Sequence, residues 1–199
     1  MPSRDARPTT SRNPTRTVLL VLFLLYLALV TWVVLWKLEV PSVGEAGRRV
    51  VKLVPFASSA TAGASDPVEL AENLLIFVPF GVYLGLLAPS WPWWRHALTL
   101  AGASVALEVA QYVLAVGSTD VTDVVVNTAG GLAGVGLLAL ARRGLRARTG
   151  VVMAGVCTAG TVLALLAATA FVASPVRLVG PPPGDVTVVG SRHPGPGDQ

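Results

Sequence analysis

The chain has 199 residues, of which 53% are hydrophobic and 13% charged, against roughly 25% charged in an average soluble domain. With a mean hydropathy of +0.65 it has too little polar surface for a soluble globular fold, which excludes an ordinary cytosolic enzyme, a disordered chain and a fibrous repeat. The balance of 13 Arg and 2 Lys against 11 acids gives +4; the basic residues flank apolar runs, which points to membrane topology rather than nucleic acid.

The composition predicts an all-α fold, a multi-pass transmembrane helical bundle of about five spans. Residues 1–16 form a short basic N-terminal segment. Thr17 to Trp36 carries no charge and at ~1.5 Å per residue reaches ~30 Å, the thickness of a bilayer core. It exceeds the apolar stretch of about 7–15 residues in a signal peptide, so it reads as a retained helix. Residues 37–69 form a loop. A second span is expected from about Leu70 to Ala88, closed by Pro89 and Pro92 among three tryptophans. A third runs from about His96 to Val116, and a fourth from about Val121 to Ala141. A fifth, residues 149–173 with an apolar run from Val151, ends before a Pro/Gly-rich tail over 174–199 that is too polar to pack.

Arg and Lys counts set the expected orientation. With the N-terminus in the cytoplasm, the inner segments hold Arg4, Arg7, Arg12, Arg16, Arg95, Arg142, Arg143, Arg146 and Arg148. The outer ones hold Lys37, Arg48, Arg49, Lys52, Arg177 and Arg192. The inner charges also lie close to helix ends, where they count most.

Glu108 falls past the middle of the third span. A carboxylate there costs on the order of 2.5–3.5 kcal/mol on insertion scales, so it should face other helices or a wet cavity. Ala97, Ala101, Ser104, Glu108, Gln111 and Ala115 share one helical stripe. In the fourth span Asp120, Asp123, Asn127, Gly130, Gly131 and Gly134 do the same, with Gly130 and Gly134 making a G-x-x-x-G pair. The second span opens with Glu69, Glu72 and Asn73, carries Pro79, which should bend it, and has its own small pair, Gly81 and Gly85. This order gathers Glu72, Asn73, Glu108, Gln111, Asp120, Asp123 and Asn127 in the outer half of the membrane, as one polar cleft among spans two to four. Asp120 and Asp123 equally fit a helix start, where acids complement the dipole. Asn127 and Gln111 equally fit interhelical hydrogen-bond glue, and Glu69 and Glu72 a solvated place at the interface. His96 stands as a lone inner-edge residue, and no metal site or cofactor is expected.

Three runs resemble the VanZ-like family: Asn73-Leu74-Leu75-Ile76-Phe77-Val78-Pro79-Phe80-Gly81 matches its N-x-x-x-F-x-P-F-G, Ser104 to Gln111 its S-x-x-x-E-x-x-Q, and Asp120 to Gly131 its D-x-x-D-x-x-x-N-T-x-G-G. Leu53-Val54-Pro55-Phe56 resembles an earlier Pro-Phe element, so the likeness spans about Leu53 to Ala141. Many relatives carry an Arg just before the first Asp of the third motif; here Val116-Gly117-Ser118-Thr119 stands there. The resemblance implies a multi-pass protein of the bacterial cell membrane, in a family whose founding member is associated with teicoplanin resistance. The expected function is non-enzymatic: binding of a lipid-linked cell-wall precursor or lipophilic glycopeptide through Asn73, Glu108, Gln111, Asp120, Asp123 and Asn127, with membrane lipids as surroundings and no nucleic acid. The alternative is a membrane enzyme on a lipid-linked substrate, with Glu108 as base and Asp120 and Asp123 on a divalent cation.

Overall fold

The computed structural model describes residues 14–44, 51–52, 54–55, 67–117 and 119–174. The expected N-terminal segment up to residue 13, most of the loop beyond 44, and the tail from 175 lie outside the described residues. Five helices follow: α1 (Pro14–Trp36), α2 (Pro67–Leu87), α3 (Trp93–Leu114), α4 (Val121–Leu145) and α5 (Thr149–Ala173). Four helical runs are long and apolar enough to cross a membrane, because α4 and α5 are joined without a break by a 3₁₀ turn over Arg146–Arg148.

That run folds back on itself. Arg142 Nη2 donates to Gly85 O at 2.8 Å, while the Tyr83 hydroxyl lies 2.7 Å from Thr161 Oγ1 and donates to Cys157 O at 3.1 Å. In a straight helix Arg142 and Thr161 would be about 28 Å apart, yet both meet one turn of α2. The reversal sits at Arg146, whose φ of 48° leaves the helical region. The five helices therefore alternate in direction. The expected end of the fourth helix at Ala141 is too early: it continues to Leu145, because Arg142 and Arg143 complement the negative end of its dipole.

α2 and α4 form the central pair, and their backbones meet. A Cβ built on Gly81 would stand 1.7 Å from Gly131 O, one on Gly130 2.1 Å from Leu74 O, and one on Gly134 2.0 Å from Val78 O. Only hydrogen fits at these three crossings, the close approach that small residues allow between membrane helices. α1 covers the pair through an aromatic cluster, with Phe23 5.2 Å from Phe80 and 5.4 Å from Tyr83 between ring centroids. The Tyr26 hydroxyl donates to the carbonyl of Ile76, near Pro79, which has no N–H to give to the helix ladder. α2 continues through that proline. Leu20, Leu24, Val151, Leu163 and Leu166 stand exposed on α1 and α5, the apolar outer surface of a bundle solvated by lipid rather than water.

One end of the bundle is roofed by the chain that follows α1. Lys37 and Leu38 take positive φ, and the indole N–H groups of Trp32 and Trp36 donate to Glu39 O and Ser42 O at 2.8 and 2.9 Å. Gly44 N–H then donates to Leu114 O at 2.9 Å, and its Cα lies so near that an added Cβ would stand 1.9 Å from Ala115 O. This helps cap α3, whose last turn ends at Ala115 in the left-handed region with its N–H turned back to Gln111 O and Tyr112 O. Beyond it, a two-residue strand, β1 (Val51–Lys52), pairs in parallel with β2 (Thr119–Asp120), Val51 opposite Thr119 and Lys52 opposite Asp120. The expectation of a plain loop missed this pairing, which two residues in a polar stretch do not signal by periodicity.

Candidate polar site at the roofed end

Beneath this roof lie the C-terminal half of α3 and the first turns of α2 and α4. The buried face of α3 is His96, Leu100, Ser104 and Glu108, at steps of four. Ala97 and Ala101, expected on that face, are only half-buried beside it.

Glu108 is 5% exposed and Asp120 6%, so both acids are withdrawn from solvent and need partners. Glu108 Oε2 accepts from the backbone N–H of Asp120 at 2.9 Å. Asp120 in turn caps α4: its backbone is extended, and its Oδ1 accepts from Thr122 N–H at 2.8 Å. Thr119 Oγ1 donates to the Glu108 carbonyl at 3.3 Å, fastening the connection between α3 and α4. The helix-start reading of Asp120 is thus correct. The same residue also belongs to the site, since its own N–H holds Glu108. Asp123, in the first turn of α4, accepts from Asn73 Nδ2 at 2.8 Å and ties α2 to α4. Three carboxylates therefore gather at the N-terminal end of α4, where the positive end of the dipole and the free N–H groups offset part of the cost of burial.

On the bundle side, Asn127 Nδ2 donates to Ser104 Oγ at 2.9 Å. Gln111 Nε2 donates to Val34 O at 3.2 Å, joining α3 to α1. Both amides thus act as interhelical bonds. Each also keeps a buried carbonyl oxygen, Asn127 Oδ1 and Gln111 Oε1, with no partner among the described residues. The two oxygens bracket Glu108: Ser104, which holds Asn127, lies one turn before it on α3, and Gln111 one turn after.

Asn73, Glu108, Asp120, Asp123, Asn127 and Gln111 are thereby placed at one end of the bundle and linked through α1 to α4. Glu72 takes the solvated of its two expected places. It is exposed, because its neighbour Asn73 takes the direction toward α4. Ser104, Thr119 and Thr122 are polar partners that the sequence did not single out as such. Ser104 carried a signal in its spacing four residues before Glu108; Thr119 and Thr122 carried none beyond flanking Asp120. Among the described residues, no group of three or more His, Cys, Asp or Glu side chains is arranged to hold a metal ion.

The VanZ/LLP1 family is matched over residues 23–142, from within α1 to the last turn of α4. The match begins earlier than the motifs alone suggest, and leaves α5 outside. The chain is 32% identical over 124 residues to Protein VanZ of Enterococcus faecium, an alignment that covers 61% of this chain and 74% of that protein. No solved structure matches.

Proposed function

This chain belongs to the VanZ/LLP1 family, and from that premise we propose that it is an envelope protein that binds an amphiphilic cell-wall ligand, a lipid-linked precursor or a lipophilic glycopeptide, at the roofed polar end. The observation that carries this reading is the acceptor-rich character of the buried cluster. Asn127 Oδ1 and Gln111 Oε1 are buried with no donor among the described residues, on either side of a buried carboxylate. Buried acceptors left unpaired cost about 1–3 kcal/mol each. A ligand that brings hydroxyl, amide or ammonium donors removes that cost, and sugars and short peptides are dense in such donors. The apolar outer surface of the bundle suits the lipid portion of the same ligand.

The reading places the roofed end on the outer face of the membrane, as the Arg distribution favours. Segment 37–44 would then govern entry. Teicoplanin, implied by the family resemblance, is the natural probe. A sensitive host expressing the chain should show altered teicoplanin susceptibility, and expression of Glu108→Gln or Asp123→Asn at equal abundance should not. Each swap keeps size and removes ionisation, so charge is separated from packing. Equal susceptibility changes from the parent and both variants would sink the assignment of these carboxylates.

A further inference from the structure

Two concavities lie at the opposite end of the bundle. One, of about 180 Å³, is walled by Gly85, Trp91, Trp93, His96, Leu138 and Arg142 among others. A larger groove, of about 680 Å³, is lined by Arg16, Leu19, Leu84, Leu87 and the turn after α2, and the two share Pro89 and Trp91. Neither wall includes an acidic residue.

His96 is 4% exposed. Its Nδ1 donates to Pro92 O at 3.2 Å, and the edge of Trp91 packs on the ring with centroids 5.8 Å apart. Its Nε2 is buried and has no partner among the described residues. Arg142 is steadied in the same wall by its bond to Gly85 O, which uses one of the five N–H donors of the guanidinium. Arg95 lies over the Trp94 ring at 5.2 Å, and Arg143, Arg146 and Arg148 follow at this end.

We infer that these joined concavities bind an anionic phospholipid, its phosphate on Arg142, a headgroup hydroxyl on His96 Nε2 and an acyl chain along the groove of Leu19, Leu84 and Leu87. Arg presents a planar fork that matches phosphate oxygens in pairs. With Nδ1–H on the Pro92 carbonyl, Nε2 is left as a buried acceptor, and a hydroxyl of a glycerol headgroup supplies the donor it lacks. Basic pockets between membrane helices on the cytoplasmic side are suited to anionic headgroups, and Trp91 and Trp93 fit the headgroup level. Wall chemistry separates this site from the other end: here the guanidinium of Arg142 awaits an anion, there buried amide and carboxylate acceptors await donors. The inference does not rest on the function proposed above.

Native mass spectrometry of the full chain in detergent tests it, with phosphatidylglycerol, phosphatidylcholine and inorganic phosphate as probes. One phosphatidylglycerol per chain should be retained in preference to phosphatidylcholine. Arg142→Gln should weaken retention about tenfold or more, the equivalent of one charge-assisted hydrogen bond, and His96→Leu about fivefold, that of one neutral bond. Arg143→Gln, which removes the same charge beside the pocket, should leave it unchanged. Equal retention of the two lipids, equal loss in Arg143→Gln and Arg142→Gln, or displacement of the lipid by an equal concentration of inorganic phosphate would each overturn the proposal. Should Arg142→Gln fail to fold, Arg142→Lys keeps the charge without the fork: weakened retention supports the site and unchanged retention overturns it.

Discussion

Replacing Gly134 by Ala adds one methyl group at the crossing of α2 and α4. That carbon would stand 2.0 Å from Val78 O and 3.1 Å from Val82 N. Ordinary contact begins near 3.4 Å, so the first distance is short by about 1.4 Å. The obstructing atoms are backbone, so no rotamer change relieves the clash and the helices must move apart. Overpacking of this kind costs typically 1–3 kcal/mol. Separation would also loosen the neighbouring crossings at Gly130 and Gly81, whose margins are as small. Gly136 is the internal control: it lies on the same helix, and nothing stands within 4 Å of its added Cβ. Gly→Ala raises helix propensity equally at both positions, so the difference between the variants isolates the packing term. Thermal unfolding in detergent, followed by size-exclusion of the surviving fraction, should show Gly134→Ala less stable than Gly136→Ala by about 1–3 kcal/mol. Identical melting of the two would refute the close crossing of α2 and α4.

Tyr83→Phe removes the hydroxyl that reaches Cys157 O and Thr161 Oγ1, and should loosen α5 by about 1 kcal/mol; Thr161→Val added to it should cost little more, read as a double-mutant cycle by chemical denaturation. Ser104→Ala takes from Asn127 Nδ2 its acceptor, so it should destabilise the folded protein by about 1–3 kcal/mol in the same assay, whereas Ala106→Ser on the exposed side of α3 should be close to neutral. Reporter fusions should place Arg95 and Arg146 in the cytoplasm and Gly117 outside; a cytoplasmic Gly117 would turn the polar end inward and remove its access to an extracellular ligand.

The five helices were readable because lipid forces every backbone polar group into its own helix, which leaves long uncharged runs in the sequence. The fourth and fifth were separable because Arg142, Arg143, Arg146 and Arg148 interrupt the apolar run; that the helix continues into a 3₁₀ turn there was not legible. Glu108, Asp120, Asp123 and Asn127 were legible for a related reason: a polar group inside an apolar run costs enough to need partners. Their pairings were not legible. That Asp120 would serve Glu108 with its backbone N–H depends on the path of the chain between α3 and α4, and on β2 being held by β1. The burial of His96, at the edge of α3, was not legible. Its burial comes from Trp91 and the turn at Pro92, which fold over a position that hydropathy alone leaves at the rim. Glu72 had two readings, cleft or solvated interface, because outer-end placement says nothing about which way a side chain faces.

The central claim, that the buried acceptor cluster holds a ligand, is tested most directly by equilibrium binding to the purified full chain in lipid nanodiscs. Lipid-linked cell-wall precursor and a lipophilic glycopeptide would be titrated separately against the parent, Glu108→Gln, and a variant in which both Gln111 and Asn127 are replaced by Leu. The account predicts saturable binding of at least one of the two by the parent. It predicts binding weaker by about tenfold or more in each variant, as loss of one charged or two neutral hydrogen bonds requires. Circular dichroism and melting of the same samples would confirm that the helices are retained. Saturable binding of equal strength in all three proteins would place the ligand elsewhere and reduce Glu108, Gln111 and Asn127 to groups that hold helices together.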